Sequence, residues 1–415
     1  MKKHSLFATL LGLKGNPRGC VYAEPLWGIP YNLYAPYASV FMLALGLADR
    51  QIGLILSVSW ACQIVVSFLS GAITDKLGRR WTTLVFDIVA WSLPALISAL
   101  AQNFWFFLAA GAINSVWRIT QNSWACLLVE EADKDELVGI YTWIYIANIV
   151  VGFAAPIAGL FIGKYAMVPA VRGLYFFAAV MFTVKALVTF FLTTETGQGK
   201  VRMRETRSQS CRDVLGGYRE VLRGISRSPR TLYAAGLLSV VAITTMISGS
   251  FWSVLATEKL GIPAKDLSLF PFVKSAVTMA LFFTVTPVLG KLHFRLPMSL
   301  GFLGFATSQL LLAIAPPDGY AMLFASVVIE ACSVAVTSPL VDRLVALSIE
   351  PKERARIQSL LYVGVILVSS PFGWIAGELS QTNRSYPFVL SLALYVVGCL
   401  LALAAGKAAD REEKA

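Results

Sequence analysis

Charged residues are scarce in this chain, making up 14% of 415 residues, against about 25% in an ordinary soluble domain. With 57% hydrophobic residues and a mean hydropathy of +0.68, no single water-soluble core can hide so much apolar surface. Histidine is almost absent: His4 and His293 are the only two, which excludes a histidine-rich metal site. The six cysteines (Cys20, Cys62, Cys126, Cys211, Cys332 and Cys399) form no CxxC pair. They read as small apolar packing residues rather than disulfides or metal ligands. Ten-residue stretches of alternating polarity, the mark of a membrane β-barrel, are also missing.

What the chain does have is apolar blocks near the ~20 residues that a helix needs to cross a bilayer core. Only helices or closed barrels satisfy the backbone in lipid, so the blocks predict twelve transmembrane helices. The expected spans are Glu24–Leu47, Gln51–Thr74, Thr82–Ala101, Phe104–Leu128, Leu137–Gly163 and Leu174–Thr193. A second group follows at Leu232–Ala256, Leu267–Leu289, Pro297–Ala315, Tyr320–Leu340, Ile357–Leu379 and Tyr386–Ala405. Pro25, Pro30 and Pro36 interrupt the first of these. The run Leu6 to Leu13 is short, precedes Lys14 and Arg18 and lacks a small-residue cleavage site, so it does not read as a signal peptide.

Lys and Arg placement sets the expected orientation. One set of loops holds only Arg50, Lys164, Arg172, Lys259, Lys265 and Arg384, and Arg118, Lys185 and Lys274 fall within spans. The remaining cations crowd the opposite set and the two ends. This predicts a multi-pass protein of the cell (inner) membrane with both termini cytoplasmic. The net charge of +11 is then a lipid-facing feature, with no nucleic acid implied.

The longest polar stretch, residues 197–230, carries nine Lys or Arg against Glu205, Asp213 and Glu220. Val214, Leu215, Tyr218, Val221, Leu222 and Ile225 fall at helical spacing, predicting an amphipathic helix on the inner membrane surface. The stretch is expected to be a basic cytoplasmic linker between two six-helix halves, 1–196 and 231–415. Lys134-Asp135 and Ile157-Ala158-Gly159 recur 218 residues later as Lys352-Glu353 and Ile375-Ala376-Gly377. Such internal repetition is how many secondary transporters are built.

The sharpest motif joins spans two and three: Gly71, Asp75, Lys76, Gly78, Arg79 and Arg80 in G-x-x-x-D-K-x-G-R-R. Gly71 permits close helix approach, Gly78 turns the chain, and the arginines sit at the inner surface. This turn resembles the signature between the second and third helices of the major facilitator superfamily, and the likeness extends from about Gly19 to Ala405. The resemblance implies a twelve-helix fold in two pseudo-symmetric halves. It also implies that Asp75 and Arg79 help lock one alternating-access state. The acidic partner is expected among Glu130, Glu131 and Asp133, with Glu130 first. The matching junction in the second half, Gly290 to Arg295, lacks the aspartate.

In span four Asn114, Arg118, Gln121 and Asn122 share one helical face. Arg118 lies about 15 Å from the expected inner end, where an arginine costs at least about 2.5 kcal/mol unless it faces a cavity or partner. Arg118-x-x-Gln121-Asn122 is similar to the superfamily's R-x-x-Q-G pattern, with Asn122 in place of glycine. The stripe is expected to bind substrate or couple protons, or else Arg118 braces backbone carbonyls. Span ten offers Glu330, Ser333, Thr337 and Ser338. Glu330 either titrates or is held by Lys274 or Arg118.

The superfamily's architecture places helices one, four, seven and ten around a cavity. This adds Tyr31, Asn32, Tyr34, Tyr37, Thr244, Thr245, Ser248 and Trp252. Asp87 titrates or pairs with the Arg79 cluster, the pairing preferred, and Lys185 is expected to snorkel toward the inner surface. Pro156 and Gly159 should kink span five. They partly match the superfamily's antiporter motif, departing from it at Ala155 and Leu160.

Together these residues predict a secondary transporter for a small solute, proton-coupled and leaning toward efflux by antiport. Uptake by a symporter or facilitator of a small organic nutrient or anion is the alternative. An enzyme would need clustered nucleophiles, histidines or paired carboxylates, and a transporter-like sensor would need a larger soluble region. No cofactor or metal is expected. The partners are a small-molecule substrate, protons and the lipid bilayer, and the chain is expected to be a monomer.

Overall fold

The computed structural model describes residues 12–132, 137–206, 229–285, 295–347 and 354–413. Every regular element among them is helical. The helices are α1 (Gly15–Tyr34), α2 (Ala38–Ala44), α3 (Asp49–Leu77), α4 (Arg79–Asp87), α5 (Leu93–Ala99), α6 (Phe104–Asn114), α7 (Trp117–Val129), α8 (Leu137–Val150), α9 (Ala155–Lys164) and α10 (Met167–Leu192). After α11 (Gly197–Glu205) come α12 (Pro229–Val254), α13 (Leu269–Thr284), α14 (Arg295–Ile314), α15 (Tyr320–Leu347), α16 (Arg354–Thr382) and α17 (Tyr386–Glu413). Among the described residues ten helical stretches are long and apolar enough to cross a membrane. The remaining two of the twelve spans are each built from two shorter helices. Lipid-facing side chains such as Leu160 and Phe191 are about three-quarters exposed, as a chain solvated by hydrocarbon requires.

The first span starts at Gly15, nine residues before the expected Glu24, and breaks at a 3₁₀ turn, Ala35–Tyr37. Pro36 sits inside that turn, whereas Pro25 and Pro30, also expected to interrupt the span, lie within α1. The fourth span also breaks, which its composition did not predict. Between α6 and α7 the backbone tightens to i→i+3 bonds, Val116 to Ile113 and Ile119 to Val116, while the Ser115 hydroxyl donates to the Ala112 carbonyl at 2.6 Å. Asn114 therefore does not lie on the same continuous helix as Arg118, Gln121 and Asn122. In span five a 3₁₀ turn, Val151–Ala154, precedes Pro156 in the first turn of α9. Two π turns, Ile88–Ser92 and Leu255–Lys259, interrupt spans three and seven.

The described chain forms two compact units: Met1–Ala35 with Cys62–Gly216, and Pro36–Ala61 with Gly217–Ala415. Helix α3 passes from the second into the first. In the second unit, Gly53 and Gly377 let α3 and α16 touch backbone to backbone. A Cβ built on Gly53 would stand 2.4 Å from the Gly373 carbonyl oxygen, and one on Gly377 would stand 2.8 Å from that of Asp49. Small residues permit such close contacts between membrane helices. Asp49 is buried there, receiving the Ser380 hydroxyl at 2.6 Å and pairing with Arg384. Gly53→Ala is expected to cost about 1–3 kcal/mol through overpacking, read as a lower thermal unfolding midpoint in detergent.

Gly71 behaves differently: nothing lies within 4 Å of where its Cβ would stand, so the close approach expected at this glycine is not made. The amphipathic stretch Val214 to Ile225, Lys134-Asp135, Lys352-Glu353, Asp133, His293 and the junction Gly290 to Phe294 lie outside the described residues.

Candidate functional site

The motif turn is built around Gly78, whose φ of +83° suits only glycine. It starts α4 at Arg79, so the first backbone N–H groups of that helix have no partner within it. Glu195, just past the end of α10, supplies one: its carboxylate accepts the N–H of Arg79 at 2.9 Å and of Arg80 at 3.0 Å. The Arg79 guanidinium is buried, at 4% exposure, and gathers two carboxylates. It donates to Asp75 Oδ1 at 2.9 Å and, through Nε and a terminal nitrogen, to Glu130 Oε1 at 3.2 Å. Thr196 donates to Glu130 Oε2 at 2.5 Å, and Arg80 lies over the Phe190 ring while donating to the Phe190 carbonyl.

Glu131 is held separately, by the Asn16 amide at 3.1 Å. Asn16 also joins the Thr194 backbone through both its N–H and its carbonyl. Thr206 closes the edge by donating to the Asp75 carbonyl at 3.2 Å. Beside it, Lys76, Lys200 and Arg204 line a basic cleft with Leu77 and Met203. The spacing of the sequence did not bring Glu195, Thr196 and Asn16 to this network. Their contacts span 66 to 178 residues, and no local periodicity reports a partner so far along the chain.

Deeper in the first unit, Arg118 donates through Nε to Gln63 at 3.0 Å and through a terminal nitrogen to Gln121 at 3.1 Å, and it stacks 4.1 Å from the Trp117 ring. Gln63, on α3, was not among the expected residues because it is a lone amide in an apolar run. Asn122 reaches Thr74 at 3.4 Å. Asn114 serves the backbone instead: Pro94 has no N–H to give the Ala90 carbonyl, and the Asn114 amide fills that place at 2.8 Å. Trp27, Tyr31, Tyr34, Trp91, Tyr175 and Phe182 form a chain of ring contacts in the same unit.

Asp87 does not join the Arg79 cluster, and Lys185 does not snorkel. Lys185 Nζ lies 2.5 Å from Asp87 Oδ2, both residues being at least 94% buried, and Thr120 donates to Oδ1 at 2.6 Å. Packing of α10 along α4 and the following π turn places the two charges face to face, and pairing replaces the water that either would otherwise seek.

In the second unit Glu330 is paired with Lys274, one of the two cations expected for it, at 2.6 Å. Ser333 and Thr337 follow Glu330 on the same unbroken helix. They pack against Gly304 and Gly301 of α14, and Thr337 is only 2% exposed. Tyr37 is fully buried and so lines no open surface. Thr245 is exposed while Thr244 bonds back to the Val240 carbonyl, Asn32 bonds back to Gly28, and Trp252 meets Phe270 edge-on. Among the described residues no group of three or more His, Cys, Asp or Glu could hold a metal.

The family model described as Major Facilitator Superfamily matches residues 28–299. An uncharacterised MFS-type transporter of Bacillus subtilis (strain 168), YqjV, is 31% identical over 153 residues. That match spans 35% of this chain and 37% of the relative. The class E tetracycline resistance protein of Escherichia coli is 21% identical over 366 residues, 84% of each chain. Among solved structures, the nucleoside transporter NupG aligns with a TM-score of 0.69 at 14% identity, covering 94% of this chain and 98% of its own. A POT family transporter in complex with a thioalcohol conjugated peptide aligns with a TM-score of 0.69 at 13% identity, covering 95% and 98%. The twelve-span helical fold and the match across most of its length make one conclusion: the chain belongs to the major facilitator superfamily.

Proposed function

We propose that this protein is a secondary active transporter that moves a small organic solute by alternating access, coupled to protons and running as an exporter. The observation that carries the reading is the Arg79 network. One buried guanidinium is shared by Asp75 and Glu130, while Glu195, on the Arg79 backbone N–H, and Thr196, on Glu130, join the turn to the segment that follows α10. Such a cluster holds its end of the bundle in one state and must be broken for the other. On the charge reading of the loops that end faces the cytoplasm, and two halves, 1–196 and 231–415, alternate about the basic linker.

Arg118 with Gln121, Asn122 and Gln63 supplies hydrogen-bond donors and acceptors for substrate, and the Lys274–Glu330 pair is a second charged element in the membrane. Intramembrane charges are costly and mark transport pathways. Resistance, the property in the name of the E. coli relative, and the break at Val151–Ala154 just before Pro156 both fit export. Transport into proteoliposomes under an imposed pH gradient, with tetracycline, sugars, organic anions and lipophilic cations as probes, tests this. Gradient-driven movement of one class, collapsing when the gradient is dissipated, is expected. Movement of every probe at equal rates with and without the gradient removes proton coupling from the reading.

A further inference from the structure

We propose that the cleft beside the motif turn binds the phosphate of an anionic phospholipid headgroup, held by Lys76, Lys200 and Arg204. The cleft measures about 540 Å³, with Leu77 and Met203 as its apolar lining. Lys76 stands at the end of α3, while Lys200 and Arg204 lie one turn apart on α11 and so share a helical face. Each of these cations is exposed. The acids of the turn are engaged elsewhere: Asp75 by Arg79, Glu205 by Arg202, and Glu195 by the N–H groups of Arg79 and Arg80. Among the described residues none of the cleft cations pairs with a carboxylate. Like charges gathered on one cleft repel, and an anion between them removes that cost.

Helix α11 is seated on the turn, so its cations are held in place. Thr206 donates to the Asp75 carbonyl at 3.2 Å. A Cβ built on Gly78 would stand 2.9 Å from Met203 Sδ, and one on Gly199 would stand 3.0 Å from Arg79 Cδ. These contacts keep Lys200 and Arg204 beside the end of α3. The place in the fold selects a lipid over a free anion. Spans two and six end here, at Leu77 and Leu192, and both side chains are about half exposed. A headgroup at that level puts its phosphate among the cations and its acyl chains against the apolar ends of α3 and α10. Each Lys or Arg near a bilayer surface favours anionic lipid by a small increment, so three around one cleft are selective where one is not. The inference goes beyond the transport reading and needs neither proton coupling nor a direction.

Native mass spectrometry of the full-length protein in detergent, with phosphatidylglycerol and phosphatidylcholine offered together, tests the site. The unmodified protein is expected to retain phosphatidylglycerol in preference. That preference should fall about fivefold for each cation removed, in Lys200→Gln, in Arg204→Gln and in Lys76→Gln. Arg202→Gln is the control: it takes the same charge from the same helix, but Arg202 pairs with Glu205 and does not line the cleft. It should keep the preference. An equal loss in Arg202→Gln overturns the proposal, because undirected surface charge then accounts for the binding. An unchanged preference in the variant carrying both Lys200→Gln and Arg204→Gln overturns it too. Should the α11 variants fail to fold, Lys76→Gln decides alone, and an unchanged preference there rejects the site. Inorganic phosphate separates the sources. An unfolding midpoint raised by phosphatidylglycerol and not by phosphate supports the lipid. Phosphate that displaces phosphatidylglycerol and raises the midpoint equally rejects the lipid as occupant.

Discussion

Lys185→Met is expected to destabilise the protein by about 3–5 kcal/mol, the usual cost of removing one member of a buried ion pair. Asp87 would keep its Thr120 hydrogen bond but lose the ammonium 2.5 Å away. Its surroundings are nearly closed to water, with Asp87 at 2% and Lys185 at 6% exposure. The second arm is the more diagnostic. Adding Asp87→Leu to Lys185→Met removes the stranded charge and is expected to restore most of the loss, since apolar replacement of a buried pair is often neutral or stabilising by about 1–4 kcal/mol. Unfolding midpoints of the single and double variants in detergent provide the comparison. A double variant no better than the single one would show that Lys185 acts through packing rather than charge.

The second large effect is expected at Arg79. Arg79→Ala leaves Asp75 and Glu130 as like charges at one end of the first unit with nothing between them. Glu130 would retain only the Thr196 hydroxyl among the contacts described above. Hydrogen bonds to charged groups contribute about 1.5–3 kcal/mol each, and every 1.4 kcal/mol is tenfold in an equilibrium. The state held by the network should therefore lose at least tenfold in population. Transport rate should fall by a comparable factor if cycling passes through that state. Arg79→Lys is expected to recover only part of the rate, because a single ammonium cannot reproduce the fork that spans two carboxylates. The readouts are initial transport rates and the labelling of a cysteine placed beside Asp75. Normal transport by Arg79→Ala would sink the gating role.

Glu195 calls for a milder test. Its carboxylate caps α4 rather than meeting the Arg79 side chain, so Glu195→Ala is expected to cost about 0.5–2 kcal/mol, visible as a lower unfolding midpoint.

The helices and the motif turn were legible in the sequence because each depends on local information, whereas the joint role of Asp75 and Arg79 came from family likeness. A span is about twenty apolar residues in a row, and Gly78 stands in the motif where the chain must turn. Glu130 was legible only through family likeness, and Asp87 was assigned the wrong partner. The nearest cation along the chain is Arg79 or Arg80, whereas Lys185 lies 98 residues away. The span-four stripe was misread for a related reason. Helical spacing assumes an unbroken helix, and the break at Ser115 is created by a hydroxyl turning back on its own backbone and by Asn114 answering a proline in another helix.

By itself the sequence determined the solvent, the number of crossings and the chemistry of the turn at Gly78, since hydrophobic run length and glycine's backbone freedom act over a few residues. Tertiary structure alone decided which charges neutralise one another. A lysine inside a membrane must find a carboxylate, but helix packing chooses which one. Packing gave Lys274 to Glu330 and Lys185 to Asp87.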